Sequence, residues 1–465
     1  MARLLFRLIG LSLILIIYLN CRSRAQGIDF QGMLNERLGT VVIVDYSVQS
    51  EEDRSSKVIA GLVMDAGSGQ VLLANNAIPN WVPPSDIVEI KAYLPGNSED
   101  DFEATYLGYD PVTQWHVIVV EEALRERLRS ITDFESGELE LGQSMWGIGI
   151  QPQSLNYIPY LLQSTKGIQL KLPWLVDVSQ HEVAAPGGPV FDTEGRWIGM
   201  GLSALAQNYT IRMAGRTFPS SLTNENESSI VLLANEVMKH WERIEFDSGT
   251  APSGWLGIVG MQPVENAVAE FLNLGDQGAI VITDIVEGSA AEAAGFEGRD
   301  IIVSVDGEPL SKFYPLNITV RDFEMTVSSL APGETATFGV MRGEESLELT
   351  VTLLERPRQF RDAERVYYKE LGFSIRPKLT SDGFSRRSYT REAEGAVVRF
   401  VRENSTAHSA GMQVGDWILE INGDVVPDYT TAQTLLEQVQ ETPAAEEYVV
   451  LVDRAGETQI LRIKR

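Results

Sequence analysis

A mainly β chain is predicted by two observations. Short apolar or alternating runs, punctuated by turn signals, recur through the first half, and a β-rich module is repeated in the second. At about 150 residues per domain, 465 residues suggest three folding units. Charged residues at 22% and apolar ones at 44% are globular values and exclude wholesale disorder. The early runs include Val41–Val44, Val58–Met64, Val71–Ala74, Val88–Tyr93, His116–Val120 and Met145–Gly149. Turn signals such as Gly67-Ser68-Gly69 separate them, which predicts a sandwich or barrel. Ala234, Val237, Met238 and Trp241 then recur at helical spacing, predicting a helix within 231–244.

The repeat is read by aligning 288–307 (GSAAEAAGFEGRDIIVSVDG) with 404–423 (NSTAHSAGMQVGDWILEING). Each copy alternates apolar residues into an Asp-Gly or Asn-Gly turn, a hairpin signal. Upstream of the copies stand Trp255-Leu256-Gly257-Ile258 and Leu371-Gly372-Phe373-Ser374. Downstream, Val320, Phe323 and Val327, and then Ala432, Leu435, Leu436 and Val439, predict one helix per copy. The segments 335–354 and 448–463 read as closing strands.

An x-Leu-Gly-x loop, an S-x-A-x-x-A-G turn and a D-x-I hairpin, in that order and twice, resemble the PDZ domains of HtrA-type (DegP/DegQ-like) proteases. The resemblance implies that Trp255, Leu256, Gly257 and Ile258, and likewise Leu371, Gly372, Phe373 and Ser374, bind peptide C-termini. The loop amides would hold the carboxylate while the peptide adds as a strand. Arg376, after the second loop, is expected to let the second module tolerate acidic residues upstream in its ligand better than the first.

The first half is similar to the trypsin-like domain of the same family. Ala184-Ala185-Pro186-Gly187-Gly188-Pro189-Val190-Phe191-Asp192, Leu72–Ile78 and Asp110–Ile118 resemble its three catalytic segments, in the family's order. Beyond a leader read from the residues at 1–25, the resemblance implies a double β-barrel at 34–246 and PDZ domains at 254–355 and 370–465. Carried over residue by residue, the general-base histidine falls on Ala77, the aspartate on Gln114 and the serine on Pro186. An oxyanion donor falls on Ala184. Alanine has no proton acceptor, and proline has neither hydroxyl nor N–H, so the barrel is expected to be proteolytically inert. Shifting the motifs by one or two positions recovers no histidine or serine. The alternative is a serine endopeptidase that uses a displaced Ser179–His181 pair or a catalytic partner subunit. His116 reads as a half-buried strand residue.

The formal charge of −27 argues against nucleic acid as a partner. Glu51-Glu52-Asp53 and Glu99-Asp100-Asp101 read as solvated loops. One cysteine, Cys21, and four scattered histidines leave no material for a metal cage, and no cofactor is expected. Arg3, Arg7, an apolar run at 8–19 and Ser23-Arg24-Ala25 read as a secretory signal cleaved after Ala25. An N-terminal anchor or a lipid-modified Cys21 are the alternatives. Taken together, these readings predict an exported, periplasmic or envelope scaffold or chaperone subunit. Its expected ligands are C-terminal or unfolded peptides of envelope proteins. Homotrimers or co-assembly with an active HtrA-type protease are further expectations.

Overall fold

The apolar runs of the first half are long enough to be covered on both faces, and they close into two barrels. The computed structural model describes residues 29–464 apart from 75–76, 80, 152–156, 170–174, 179–181, 203–206, 214–215, 223–227, 245–248, 314–315, 392 and 443–446. The expected leader with Cys21, and the Ser179–His181 pair, lie outside the described residues.

The first barrel comprises β1 (Val41–Gln49), β2 (Arg54–Asp65), β3 (Gln70–Leu73), β4 (Ile87–Leu94), β5 (Asn97–Asp110) and β6 (Trp115–Val120). Their order is β5-β4-β1-β2-β3-β6, and β5 pairs with β6 to close the ring. The second contains β7 (Ser144–Gln151), β8 (Ile158–Gln169), β9 (Leu175–Val178), β10 (Pro189–Asp192) and β11 (Trp197–Leu202). A separate hairpin of β12 (Gln207–Met213) and β13 (Arg216–Leu222) precedes β14 (Ile230–Leu233), which completes the ring β10-β11-β14-β9-β8-β7.

One core crosses the seam between the barrels. Leu62, Leu72, Trp115 and Val117 of the first meet Trp146, Ile148, Phe191 and Met200 of the second. Helix α1 (Phe30–Arg37) adds Leu34, and α2 (Ala234–Arg243) adds Val237. The predicted helix is thus shorter than the apolar spacing suggested: Ile230–Leu233 is a barrel strand, paired with Gly199–Leu202.

The chain leaves the barrels as a strand. β15 (Gly249–Thr250) pairs in parallel with Gly108–Tyr109 of β5. The first repeat module then contains β16 (Gly254–Trp255), β17 (Ile258–Val259), β18 (Gln262–Pro263), β19 (Ile280–Val281), β20 (Asp284–Ile285), β21 (Ile301–Val305) and β22 (Glu308–Pro309). Helix α3 (Asn317–Ser329), β23 (Thr335–Arg342), β24 (Glu345–Thr352) and β25 (Leu354–Glu355) follow. The second module contains β26 (Val366–Tyr368), β27 (Phe373–Pro377), β28 (Ala396–Val401), β29 (Trp417–Ile421), β30 (Asp424–Val425), α4 (Tyr429–Glu441), β31 (Glu447–Arg454) and β32 (Glu457–Lys464).

The repeated aspartate has the same work in both copies. Asp300 receives a bidentate pair from Arg342, both bonds at 2.7 Å, and Asp416 receives the same from Arg454. Each arginine also donates to the carbonyl of the glycine ending the short helix, Gly295 at 2.8 Å and Gly411 at 2.7 Å. Both carboxylates are buried. Replacing Arg342 with Met leaves Asp300 buried without its partner, and should cost about 2–3 kcal/mol after allowance for the partial exposure of the arginine. Denaturant unfolding of the full chain reads the loss in its first-module transition.

Candidate functional site

Two sets of residues are singled out by sequence, one in the barrels and one in the repeat modules. The first is the trio carried over from the protease resemblance. Ala77 follows β3, and its carbonyl accepts from the Tyr46 hydroxyl at 2.6 Å. The Pro186–Gly187 turn stands against the same segment: a Cβ on Gly187 would lie 3.4 Å from that of Ala74. Gln114 has a left-handed backbone (φ 62°), and its N–H donates to the Asp110 carbonyl at 2.8 Å. The Asp110 carboxylate is itself engaged by the Thr113 hydroxyl (2.6 Å) and Arg243 (2.7 Å).

The backbone donors of the 184–188 turn are directed into their own barrel. Ala184 N–H donates to the Ser228 hydroxyl at 3.2 Å, Ala185 N–H to Ile148, Gly187 N–H to Gly201 and Gly188 N–H to Ala185. Pro186 has no N–H. An oxyanion needs amides aimed outward at about 2.7–3.1 Å, and this turn presents none from 184 to 188.

His116 is fully buried, not half-buried as its strand position suggested. The Ile78 carbonyl can only accept, so the hydrogen at Nε2 is donated to it at 3.0 Å. Nδ1 then accepts from the Tyr106 hydroxyl at 2.9 Å, whose oxygen accepts from Arg361 at 2.7 Å. Both ring nitrogens are thereby occupied. Burial, reinforced by the Arg361 charge, pushes the imidazole down to about 3. Such a histidine binds its proton in the unfolded chain below about 6.5 and in the folded chain only near 3. Its contribution to stability is complete above pH 6.5 and falls as pH drops towards 3, by about 1.4 kcal/mol per pH unit at most. His116→Gln should remove that part of the slope, read as the pH dependence of the difference in unfolding free energy between variant and parent.

The second set is the pair of loops. Gly257 and Gly372 both have positive φ, 87° and 80°. A Cβ on either would meet the Cβ of Ser289 or Ser405, at 2.1 and 2.3 Å. These serines are the repeated serine of the motif, and each caps the short helix that follows it. Loop glycine and cap serine are therefore one contact in each module, and no side chain fits between them.

The two grooves differ. In the first module β16 turns away to pair with β25. Among the described residues β17 pairs with β20 alone, and its other edge faces α3 across a cleft of about 480 Å3. Trp255, Leu256, Gly257 and Ile258 line it, opposite Val320 and Phe323. Pro111, Val112 and Gln114 of the first barrel complete the wall. In the second module β27 has neighbours on both edges, β28 and β26. The expected peptide edge beyond Phe373 and Ser374 is therefore occupied by Val366–Tyr368. The amides of Leu371 and Gly372 are taken as well, donating to the Tyr368 carbonyl at 3.0 and 2.8 Å.

Two further expectations are corrected here. Arg376 is buried and forms a bidentate pair with Asp382 at 2.6 Å, so it does not face a ligand. Glu51 is not solvated, since its side chain is buried, whereas its neighbour Glu52 is exposed but engaged. Glu51 accepts from Ser374 at 2.8 Å and Arg399 at 3.3 Å, and Glu52 accepts from Tyr367 at 2.6 Å. Burial would raise the Glu51 carboxyl, but the Ser374 hydroxyl with Arg365 and Arg399 holds it below the ordinary carboxylate range. Among the described residues no group of three or more His, Cys, Asp and Glu side chains could hold a metal. No described helix is long and apolar enough to cross a membrane.

Two family models match, both described as PDZ domain, over residues 255–353 and 397–450. The chain is 25% identical over 349 residues to a probable periplasmic serine endoprotease, DegP-like, of Bartonella henselae. That match covers 73% of this chain and 63% of the relative's length. It is 24% identical over 378 residues to the periplasmic pH-dependent serine endoprotease DegQ of Escherichia coli, covering 79% of this chain and 72% of that one. Among solved structures, the HtrA-type protease AlgW with tripeptide superposes with a TM-score of 0.49 at 19% identity, over 71% of this chain and 98% of that one. The chain is thus similar to DegP-like and DegQ periplasmic serine endoproteases, and its double barrel is followed by two stretches that match the PDZ domain.

Proposed function

We propose that this chain is a non-catalytic member of that group, exported to the periplasm, which captures polypeptide C-termini in the groove of its first PDZ domain. The open edge of β17 carries the reading. It faces α3 across the cleft, beside a loop whose glycine must keep positive φ. A peptide strand added there would satisfy its own backbone along β17, and its last side chain would meet Leu256, Val320 and Phe323. The relatives are named periplasmic endoproteases, which supports the compartment; removal of the leader after Ala25 belongs to the same proposal.

The absence of proteolysis rests on chemistry at the carried-over positions. Ala77 offers no base, Pro186 no nucleophile, and the Ala184 amide is spent on Ser228. His116 cannot stand in for the base, because both its nitrogens are engaged inside the first barrel. A scaffold or chaperone subunit in envelope quality control follows, either as a homotrimer or alongside an active relative.

Unfolded fluorescent casein, incubated with the full chain and a fluorophosphonate probe, should be neither cleaved nor accompanied by a labelled protein band. Cleavage with labelling would overturn the non-catalytic reading, and the labelled peptide would identify the nucleophile. Gly257→Ala should abolish binding of C-terminal peptides and destabilise the first PDZ domain by about 1–3 kcal/mol, from a strained backbone pressed against Ser289. Fluorescence anisotropy with a carboxy-terminal peptide library reads the binding; unchanged binding in that variant would dispose of the groove.

A further inference from the structure

The strand that fills the second groove has the form of a ligand. β26 runs antiparallel to β27, with Val366 opposite Ile375, Tyr367 opposite Ser374 and Tyr368 opposite Phe373. Its side chains alternate as those of an added strand do. Tyr368 is buried at 2% exposure, and its hydroxyl reaches the Gln433 carbonyl of α4 at 3.5 Å. Val366 packs on the same core, whereas Tyr367 turns the other way, to Glu52 and the Phe400 ring. The Tyr368 carbonyl occupies the place of a terminal carboxylate, accepting from both loop amides.

We infer that the second PDZ groove is a working peptide site held shut by residues 366–368, and that its external ligand is a polypeptide C-terminus with an aromatic last residue and a β-branched residue two positions before it. Tyr368 and Val366 are the template for those two positions. A free C-terminus would bring a full negative charge where the chain's own segment brings a neutral carbonyl, and charge-assisted bonds are the stronger. The resident strand has the opposite advantage of being tethered, at an effective concentration of about a millimolar. It is held from its N-terminal side: Arg361 and Arg365 of the same linker are anchored in the first barrel, on Tyr106 and on Asp86.

The test uses the full chain with Gly257→Glu, which silences the first groove and makes the outcome independent of the proposal above. The probe is a fluorescein-labelled decapeptide ending in Val-Tyr-Tyr with a free carboxylate. Val366→Ala with Tyr368→Ala should bind it at least about tenfold more tightly than the parent, since the tethered competitor is weakened. The same peptide with an amidated end should not gain. Equal affinity in variant and parent, or equal gain for the amidated peptide, would overturn the inference. If the double variant melts early, the free-acid peptide should raise its melting temperature by filling the vacated groove. A melt that the peptide leaves unmoved would overturn it too.

Discussion

The guanidinium of Arg361 is the fastening on which the arrangement of the units depends. It is 2% exposed, stands 3.8 Å over the Tyr109 ring and donates to the Tyr106 hydroxyl. A cation placed this deep is tolerable only with such partners, because desolvation is costly and a π face with a hydroxyl acceptor offsets it. Once Arg361 is seated, the linker has one course across the first barrel. Arg365 meets Asp86, β26 is delivered to β27, and the Glu51–Glu52 turn docks onto Ser374, Arg399 and Tyr367. The stretch between the PDZ domains is therefore a structural element of the barrel as much as a connection.

The barrels hold together for reasons that do not involve catalysis. Trp115, Trp146, Phe191 and Met200 form a core shared between them, and the Asp110–Arg243 pair ties α2 to the loop before Gln114. The backbone amides of the 184–188 turn are engaged in hydrogen bonds within their own barrel. His116 belongs to this pattern, since it bridges Tyr106 to Ile78 and lies on the same relay as Arg361.

Much of this was legible in the sequence where the signal was local. The repeated Ser, Asp and Gly positions are dictated by a cap, a buried ion pair and a positive φ, and each constrains residue type within a few positions. Strand runs and the Asp-Gly and Asn-Gly turns of the modules are of the same kind. The asymmetry between the grooves was not legible. Val366-Tyr367-Tyr368 is a three-residue apolar run in a charged linker, and nothing nearby says whether it turns away, as β16 does, or folds back. Likewise Glu51 and Glu52 read as solvated, because their partners lie more than 300 positions downstream. Arg376 was misassigned because proximity to a loop in sequence says nothing of the carboxylate six residues later that claims it.

The cleft of the first PDZ domain has walls from two folding units, with Pro111, Val112 and Gln114 facing Trp255 and Ile258. Anything that binds both walls binds the docked arrangement and not the separated one. By mass action it then strengthens the junction between them by RT ln(1 + [L]/Kd), whatever its sequence. Occupancy of the groove would thereby be converted into stiffness of the joint, and a bound peptide would make the barrel and its first appendage move more firmly as one body.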